Sequence, residues 1–264
     1  MGVMQFEWAS GFSDPEKSVK VFCTDRRDGL SMPPWDAFNL GLHVGDLADS
    51  VRANRHILTD ALGVSVAWVQ QVHGVQVHRV TEAGEYSVQA DALLTTVPGV
   101  ALSMMVADCL PVILSHRKLP CVVAAHAGWR GLSAGVLEAS VIAMADAIGE
   151  DADLVAAHTS AWLGPCIGPT HFEVGQDVWD AFVGREDEDR IAFAPSEHPG
   201  RYLADLALLA QMRLSRLGIN RCEGNDSSLS WCTFANPERY FSHRRDASKR
   251  GSSGRMAFGV WIAR

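Results

Sequence analysis

Three short segments place metal-capable side chains beside glycine or at the ends of expected strands: Gln71-Val72-His73-Gly74, Ala107-Asp108-Cys109-Leu110-Pro111 and Ala125-His126-Ala127-Gly128-Trp129-Arg130-Gly131. Two imidazoles and a thiolate suit tetrahedral zinc, and three protein ligands leave a fourth position for water, which is the arrangement of a catalytic rather than a structural ion. His73, Cys109 and His126 are therefore the expected ligands and catalytic residues, with Zn2+ the expected cofactor. Cu2+ fits the donors less well. A blue-copper site wants a further axial ligand, and a multicopper oxidase needs more histidines, in repeated clusters, than the ten scattered here. The same trio could instead make a Cys-His hydrolase, with Cys109 the nucleophile and His126 or His73 its base.

Positioning these groups requires a hairpin. The apolar runs around Cys109 and His126 are joined by His116-Arg117-Lys118-Leu119-Pro120, short enough for an antiparallel turn. Centred on Arg117-Lys118 without a bulge, it sets Cys109 opposite His126, with both side chains on one face. Gly128 and Gly131 bracket Trp129-Arg130 where a helix over 129–148 should begin. Its free N–H groups, with Arg130, would attract an anion. Asp108, next to a ligand on an extended segment, points to the other face and reads as structural.

The rest of the chain supplies strands and helices in about equal weight. Strands are expected over 20–24, in two pieces broken at Gly74, and over 100–106, 110–115, 121–125, 155–163 and 256–262. Asp46 should cap a helix carrying Leu47, Val51, Leu58 and Leu62 and ending at Gly63; further helices are expected over 176–183 and 203–217. Residues 25–45 form a long irregular loop whose His43 could reach a ligand, and the acidic run 185–190 reads as a solvated loop. The Gly-Pro frame around Cys166 reads as fixing a tight backbone path beside the site, and Trp8, Trp35, Trp68, Trp162 and Trp261 read as packing. Near-continuous apolar strands without a βαβ period imply an α/β fold of mixed sheets, an α+β layered sandwich, neither Rossmann nor cupredoxin. With no linker or repeat, 1–264 is expected to be a single domain.

Of the 264 residues, 47% are hydrophobic and 20% charged, and the net charge of −8 repels polyanions, so nucleic acid is not an expected partner. No apolar run is long enough for a membrane span, and residues 1–7 lack the features of a signal peptide. Six cysteines without a Cys-x-x-Cys pair fit a reducing compartment. A cytoplasmic monomer is expected.

Taken together, Asn39-Leu-Gly-Leu-His-Val-Gly-Asp46, Gln71-Val-His-Gly74, Ala90-Asp-Ala92, Ala107-Asp-Cys-Leu-Pro-Val112, Ala125-His-Ala-Gly-Trp-Arg-Gly131, Gly164-Pro-Cys-Ile-Gly-Pro169, Cys232-Thr233 and Phe241-Ser-His-Arg-Arg-Asp246 resemble the YfiH-like family. The family is also called laccase-domain or polyphenol-oxidoreductase-like, and its bacterial members include the peptidoglycan editing factor group. The resemblance implies a mixed α/β sandwich with one zinc on His73, Cys109 and His126. It also implies phosphorolysis of purine nucleosides (adenosine, inosine, guanosine and methylthioadenosine) and deamination of adenosine, with nucleoside and phosphate as the partners. For phosphorolysis, Arg26, Arg130, Arg244 or Arg245 would hold phosphate and Asn39 would orient the nucleoside. An editing or binding factor for peptidoglycan precursors and, less favoured, a copper polyphenol oxidase are the other readings. This sequence departs from the family pattern at Asp25-Arg-Arg-Asp-Gly29, at His243 in place of tyrosine, and in a longer segment over 247–253, all in loops that should influence substrate range.

Overall fold

The computed structural model describes residues 3–7 and 18–263, so Trp8 lies outside the described residues. Two six-stranded mixed sheets form its centre. In spatial order the first contains Val3–Glu7, Val19–Thr24, Met256–Ile262, Val100–Val106, Ser65–Gln70 and Glu85–Gln89. The second contains Arg221–Gly224, Thr159–Leu163, Leu110–His116, Val122–Ala127, Ala92–Thr95 and Val77–Arg79. A small third sheet joins Glu173–Val174, Tyr202–Ala204 and Phe193–Pro195.

The period-two geometry of a strand sends successive side chains to opposite faces, and here both faces are dry. Along Val122–Ala127, Val122 and Ala124 face the first sheet, meeting Leu102, Met104 and Phe258, while Val123 and Ala125 face helices. The helix Val136–Ile148 covers that outer face with Val136, Leu137, Val141 and Met144. On the far side of the first sheet, Leu58 and Leu62 of the helix Ala48–Leu62 pack on Phe22, Trp68 and Trp261. The result is four layers, helix, sheet, sheet and helix. The doubled burial explains why these strands read as continuous apolar runs.

Several elements differ from expectation, each for a local reason. Asp46 does not cap the first helix: its carboxylate accepts from the Asn39 amide at 2.9 Å, and Leu47 occupies the cap position without a side-chain bond. The helix expected over 129–148 is two helices, Trp129–Ala134 and Val136–Ile148, because Gly135 takes a left-handed φ of 104° and ends the first. Asp151 caps a short helix, Ala152–Ala157, ahead of the strand Thr159–Leu163. Asp205 likewise caps Leu206–Arg216 and leaves Tyr202–Ala204 extended. The acidic run is exposed except at Asp189, but it is not a loop throughout: it enters a 3-10 helix, Asp187–Ala192, whose Asp189 is buried against Arg216.

The hairpin exists with its turn one position further on. Pro111 rather than Cys109 pairs with His126, centring the turn between Lys118 and Leu119. The slip moves each opposed pair by an even number of positions, so side-chain parity is preserved. Cys109 follows the same parity as Ile113, which faces the seam between the sheets, as does His126 with Val122 and Ala124.

Candidate metal centre

His73, Cys109 and His126 converge at one end of the seam, and their candidate donor atoms all lie within 4.8 Å of one another. Cys109 Sγ is 3.8 Å from His73 Nε2, and the two imidazole rings meet edge to face with centroids 4.8 Å apart. Each arrives by a different route. His126 stands at the end of its strand. Cys109 is turned inward by Asp108, whose backbone has a φ of 84° and whose carboxylate accepts from Thr233 Oγ1 at 2.6 Å and the Arg244 N–H at 2.7 Å. His73 also sits at positive φ, 60°, a conformation that costs about 1–2 kcal/mol for a non-glycine residue.

Asp91 offsets that cost. Its buried carboxylate accepts from the backbone N–H groups of Val72, His73 and Gly74 at 3.1, 2.9 and 2.7 Å. It also lies 2.8 Å from Nδ1 of His126, leaving Nε2 as the nitrogen available to a ligand. One carboxylate thus sets the loop of one imidazole and the ring of the other, the support that metal-binding histidines usually receive. Gln71 adds a second brace, its side-chain amide pairing with both backbone groups of Met105. Gly128 keeps the pocket open, since a Cβ there would fall 2.9 Å from Cys109 Sγ and 3.1 Å from His73 Cδ2.

Burial pushes the Cys109 thiol up, but the charge and hydrogen bond of His126, then those of His73, outweigh it and bring its pKa to about 6. His126 responds in the opposite sense: burial lowers it, while the Cys109 thiolate and Asp91 raise it to about 9. Asp91 is itself held below the usual carboxylate range because, against burial, it is bonded to His126 and to backbone N–H groups. A thiolate between two imidazoles, one oriented by a carboxylate, has the composition and support of a three-ligand metal site.

A second cluster, His116, Glu150 and His158, brings donor atoms equally close together, yet its protons are wrongly placed. Nδ1 of His116 accepts from the Leu119 N–H at 2.9 Å, so a neutral ring carries its proton on Nε2, the atom facing Glu150. Nε2 of His158 is 2.6 Å from Lys118 Nζ, which leaves its proton on Nδ1. Both free nitrogens are then donors rather than metal ligands, with Nε2 of His116 3.8 Å from Glu150 and neither nitrogen making a hydrogen bond among the described residues.

The first centre opens into a cavity of about 510 Å³ that Arg130 and Arg244 also line. Their guanidinium groups lie over the rings of Trp129 at 4.3 Å and Phe172 at 5.7 Å. Other candidate substrate residues are engaged elsewhere. Arg26 is tied to Asp36 and Pro237, and Arg245 to Asp246 and the carbonyls of Thr233, Phe234 and Tyr240, both beside a separate groove. Asn39 is fully buried and bonds Gly41, Asp46 and the Arg255 N–H. The helix start after Gly128 belongs to a helix of six residues, too short for its aligned dipoles to make an anion site. His43, His243 and Arg255 do line the cavity. Asp91 and Arg255 went unassigned in the sequence, where the only signals were the Ala90-Asp-Ala92 segment and a lone arginine before the final apolar strand.

Four layers with a His-Cys-His centre at the seam of two mixed sheets define a class of α/β sandwich with one candidate metal site. A profile for the family described as multi-copper polyphenol oxidoreductase laccase matches residues 20–263, and the chain belongs to that family, the YfiH-like proteins. It is 44% identical over 245 residues to a purine nucleoside phosphorylase of Pseudomonas aeruginosa, covering 92% of this chain and 93% of the relative. It is also 41% identical over 248 residues to the purine nucleoside phosphorylase YfiH of Escherichia coli, covering 93% and 95%. Among solved structures, a Neisseria meningitidis protein superimposes with a TM-score of 0.84 at 35% identity over 100% of both chains. YlmD of Geobacillus stearothermophilus does so with a TM-score of 0.80 at 26% identity over 98% of both. Among the described residues, no helix is long and apolar enough to cross a membrane.

Proposed function

We propose that this chain is a purine nucleoside phosphorylase with adenosine deaminase activity, working around a zinc ion held by His73, Cys109 and His126. The observation that carries the reading is the convergence of those three donors, braced by Asp91, in a cavity of substrate size, within a chain whose relatives bear the phosphorylase name. Zinc is preferred to copper on the donor set. Met105, the thioether on the cavity wall, has its sulfur 3.7 Å from the Arg55 guanidinium instead of standing as an axial ligand. When bound, such an ion supplies Lewis acidity toward an oxygen of substrate or water at its open position.

The chain's own residues supply binding and orientation. Arg130 on Trp129 and Arg244 on Phe172 present flat cationic and aromatic surfaces at the mouth, suited to a planar heterocycle. Asp91 keeps the proton of His126 on Nδ1 and the ring fixed. In phosphorolysis a phosphate oxygen bonds C1′ of the ribose as the C1′–N9 bond breaks, its electron pair departing with the purine. In deamination water adds at C6 of adenine and ammonia leaves.

Metal analysis of purified protein, with product assays on adenosine and inosine in the presence and absence of phosphate, tests the reading. Stoichiometric zinc, phosphate-dependent release of hypoxanthine and phosphate-independent conversion of adenosine to inosine are expected. His73→Ala should abolish both activities while the chain stays folded by circular dichroism; inosine turnover at the parental rate would refute metal-dependent chemistry.

A further inference from the structure

We propose that Arg255, flanked by His43 and His243, is the anion subsite of the cavity and that its ligand is inorganic phosphate, the co-substrate under the phosphorylase reading on which this assignment rests. Arg255 stands directly before the strand Met256–Ile262 and sends its half-buried side chain to the cavity wall that holds Cys109. It is built in rather than draped. Its N–H donates to Asn39 Oδ1 at 2.9 Å, and its carbonyl accepts from the Leu40 N–H at 3.0 Å. Gly41 clears the path of its stem, since a Cβ there would lie 2.8 Å from Arg255 Cγ. Asn39 therefore acts on the cavity at one remove, by holding the residue that faces it.

Among the described residues the Arg255 guanidinium is tied down at Nη1 alone, to the carbonyls of Ser253 at 2.9 Å and Gly254 at 3.1 Å, and no carboxylate lies within ion-pair distance. Four other buried or half-buried arginines are paired with carboxylates, Arg26 with Asp36, Arg55 with Glu85, Arg213 with Glu138 and Arg245 with Asp246, and Arg239 lies over the Tyr240 ring. A partly desolvated cation without a carboxylate is costly unless something else supplies the charge. Cys109 and then Asp108 offset its burial from a distance, but the thiolate belongs to the metal site proposed above and the Asp108 carboxylate is occupied by Thr233 and Arg244. A tetrahedral dianion with paired oxygens matches the free edge of a guanidinium.

The neighbours fit the same ligand. Burial, and then the charge of Arg255, holds His43 and His243 below the usual imidazole range. Each is neutral near pH 7 and offers one N–H donor without adding a charge that would compete for the arginine. Arg130 and Arg244 are exposed and lie over aromatic rings, and Nη1 of Arg244 is bonded to the Glu173 carbonyl, so they shape the mouth while Arg255 sits beside Cys109. Phosphate there is adjacent to the metal centre, where one of its oxygens can meet C1′ of a nucleoside entering from the mouth.

The test compares the zinc-loaded parent with Arg255→Met and Arg255→Lys, measuring phosphate binding by calorimetry and the KM values for phosphate and inosine separately. Arg255→Met should raise the phosphate Kd and KM at least tenfold while the inosine KM changes less than twofold, with Arg255→Lys intermediate. A phosphorolytic enzyme whose phosphate KM is unmoved in Arg255→Met overturns the subsite and leaves the phosphorylase reading standing. A parent that binds no phosphate and deaminates without any phosphate dependence overturns both. Should Arg255→Met fail to fold, phenylglyoxal labelling of the parent decides the question. Saturating phosphate should protect Arg255 ahead of Arg130 and Arg244, and equal labelling of Arg255 with and without phosphate would defeat the assignment.

Discussion

A single buried carboxylate carries much of the organisation of the candidate metal centre. Asp91 accepts from three successive N–H groups and from His126, so its loss would release the strained backbone at His73 and the orientation of a second imidazole together. Asp91→Asn keeps the shape but removes the charge. Zinc affinity should fall about 10- to 100-fold, as for other outer-shell partners, read by competition with a chromophoric chelator; unchanged affinity would mean His126 needs no such support. The thiol offers a second handle. With its pKa at about 6, Cys109 of the metal-free protein should be alkylated by iodoacetamide with a midpoint near that pH and be shielded when zinc is bound. A thiol depressed from 9 to about 6 contributes stability that is present above its unfolded pKa and is lost as pH falls through 6. An imidazole raised from 6.5 to about 9 contributes stability that is complete below 6.5 and is lost as pH rises through 9. The two contributions run in opposite directions and cancel between about 6.5 and 9, so the urea midpoint of the metal-free chain should stay nearly level across that range, and a midpoint that rises or falls steeply there would show that only one of the two groups is shifted.

At the scale of elements, the centre depends on strand ends meeting a glycine-rich helix entry. Gly128 separates His126 from the helix Trp129–Ala134, and its missing Cβ is the space that Cys109 and His73 use. Gly128→Ala should displace one of those side chains, so that zinc content drops below a tenth of the parent by atomic absorption while circular dichroism is unaltered. The break at Gly135 has a related effect. It lets a short helix turn away from the centre before Val136–Ile148 lies down on the second sheet, an arrangement that a continuous helix over the same residues could not achieve. The one-position slip of the hairpin turn was harmless to the site because alternate residues share a face. A slip that changed parity would have sent Cys109 and His126 to opposite sides.

For the whole molecule, the seam between the two sheets is both the main core and the floor of the site. Phe258 is fully buried there, stacked 6.5 Å from Trp162 and packed with Leu102 and Met104. Phe258→Ala should cost about 3–5 kcal/mol in urea denaturation and weaken zinc binding through the loosened seam, whereas a loss under 1 kcal/mol would mean the sheets do not pack through this residue. Much of this was readable in the chain. His73, Cys109 and His126 declared themselves by donor type beside glycine, and the apolar runs at 100–106 and 110–115 announced strands covered on both sides, because those properties are local. Asp91 was not readable as a partner of His126, since the two meet only across the ladder between Ala92–Thr95 and Val122–Ala127. Arg26, Asn39 and Arg245 looked like substrate groups because charge and polarity are visible in a sequence, while the carbonyls and carboxylates that occupy them are not. Arg255 illustrates the converse. Composition and spacing determined which side chains were able to bind a metal or an anion, but only the packed sheets decided which remained free to do so, because a hydrogen bond to a distant residue consumes a functional group without leaving any trace in its neighbours along the chain.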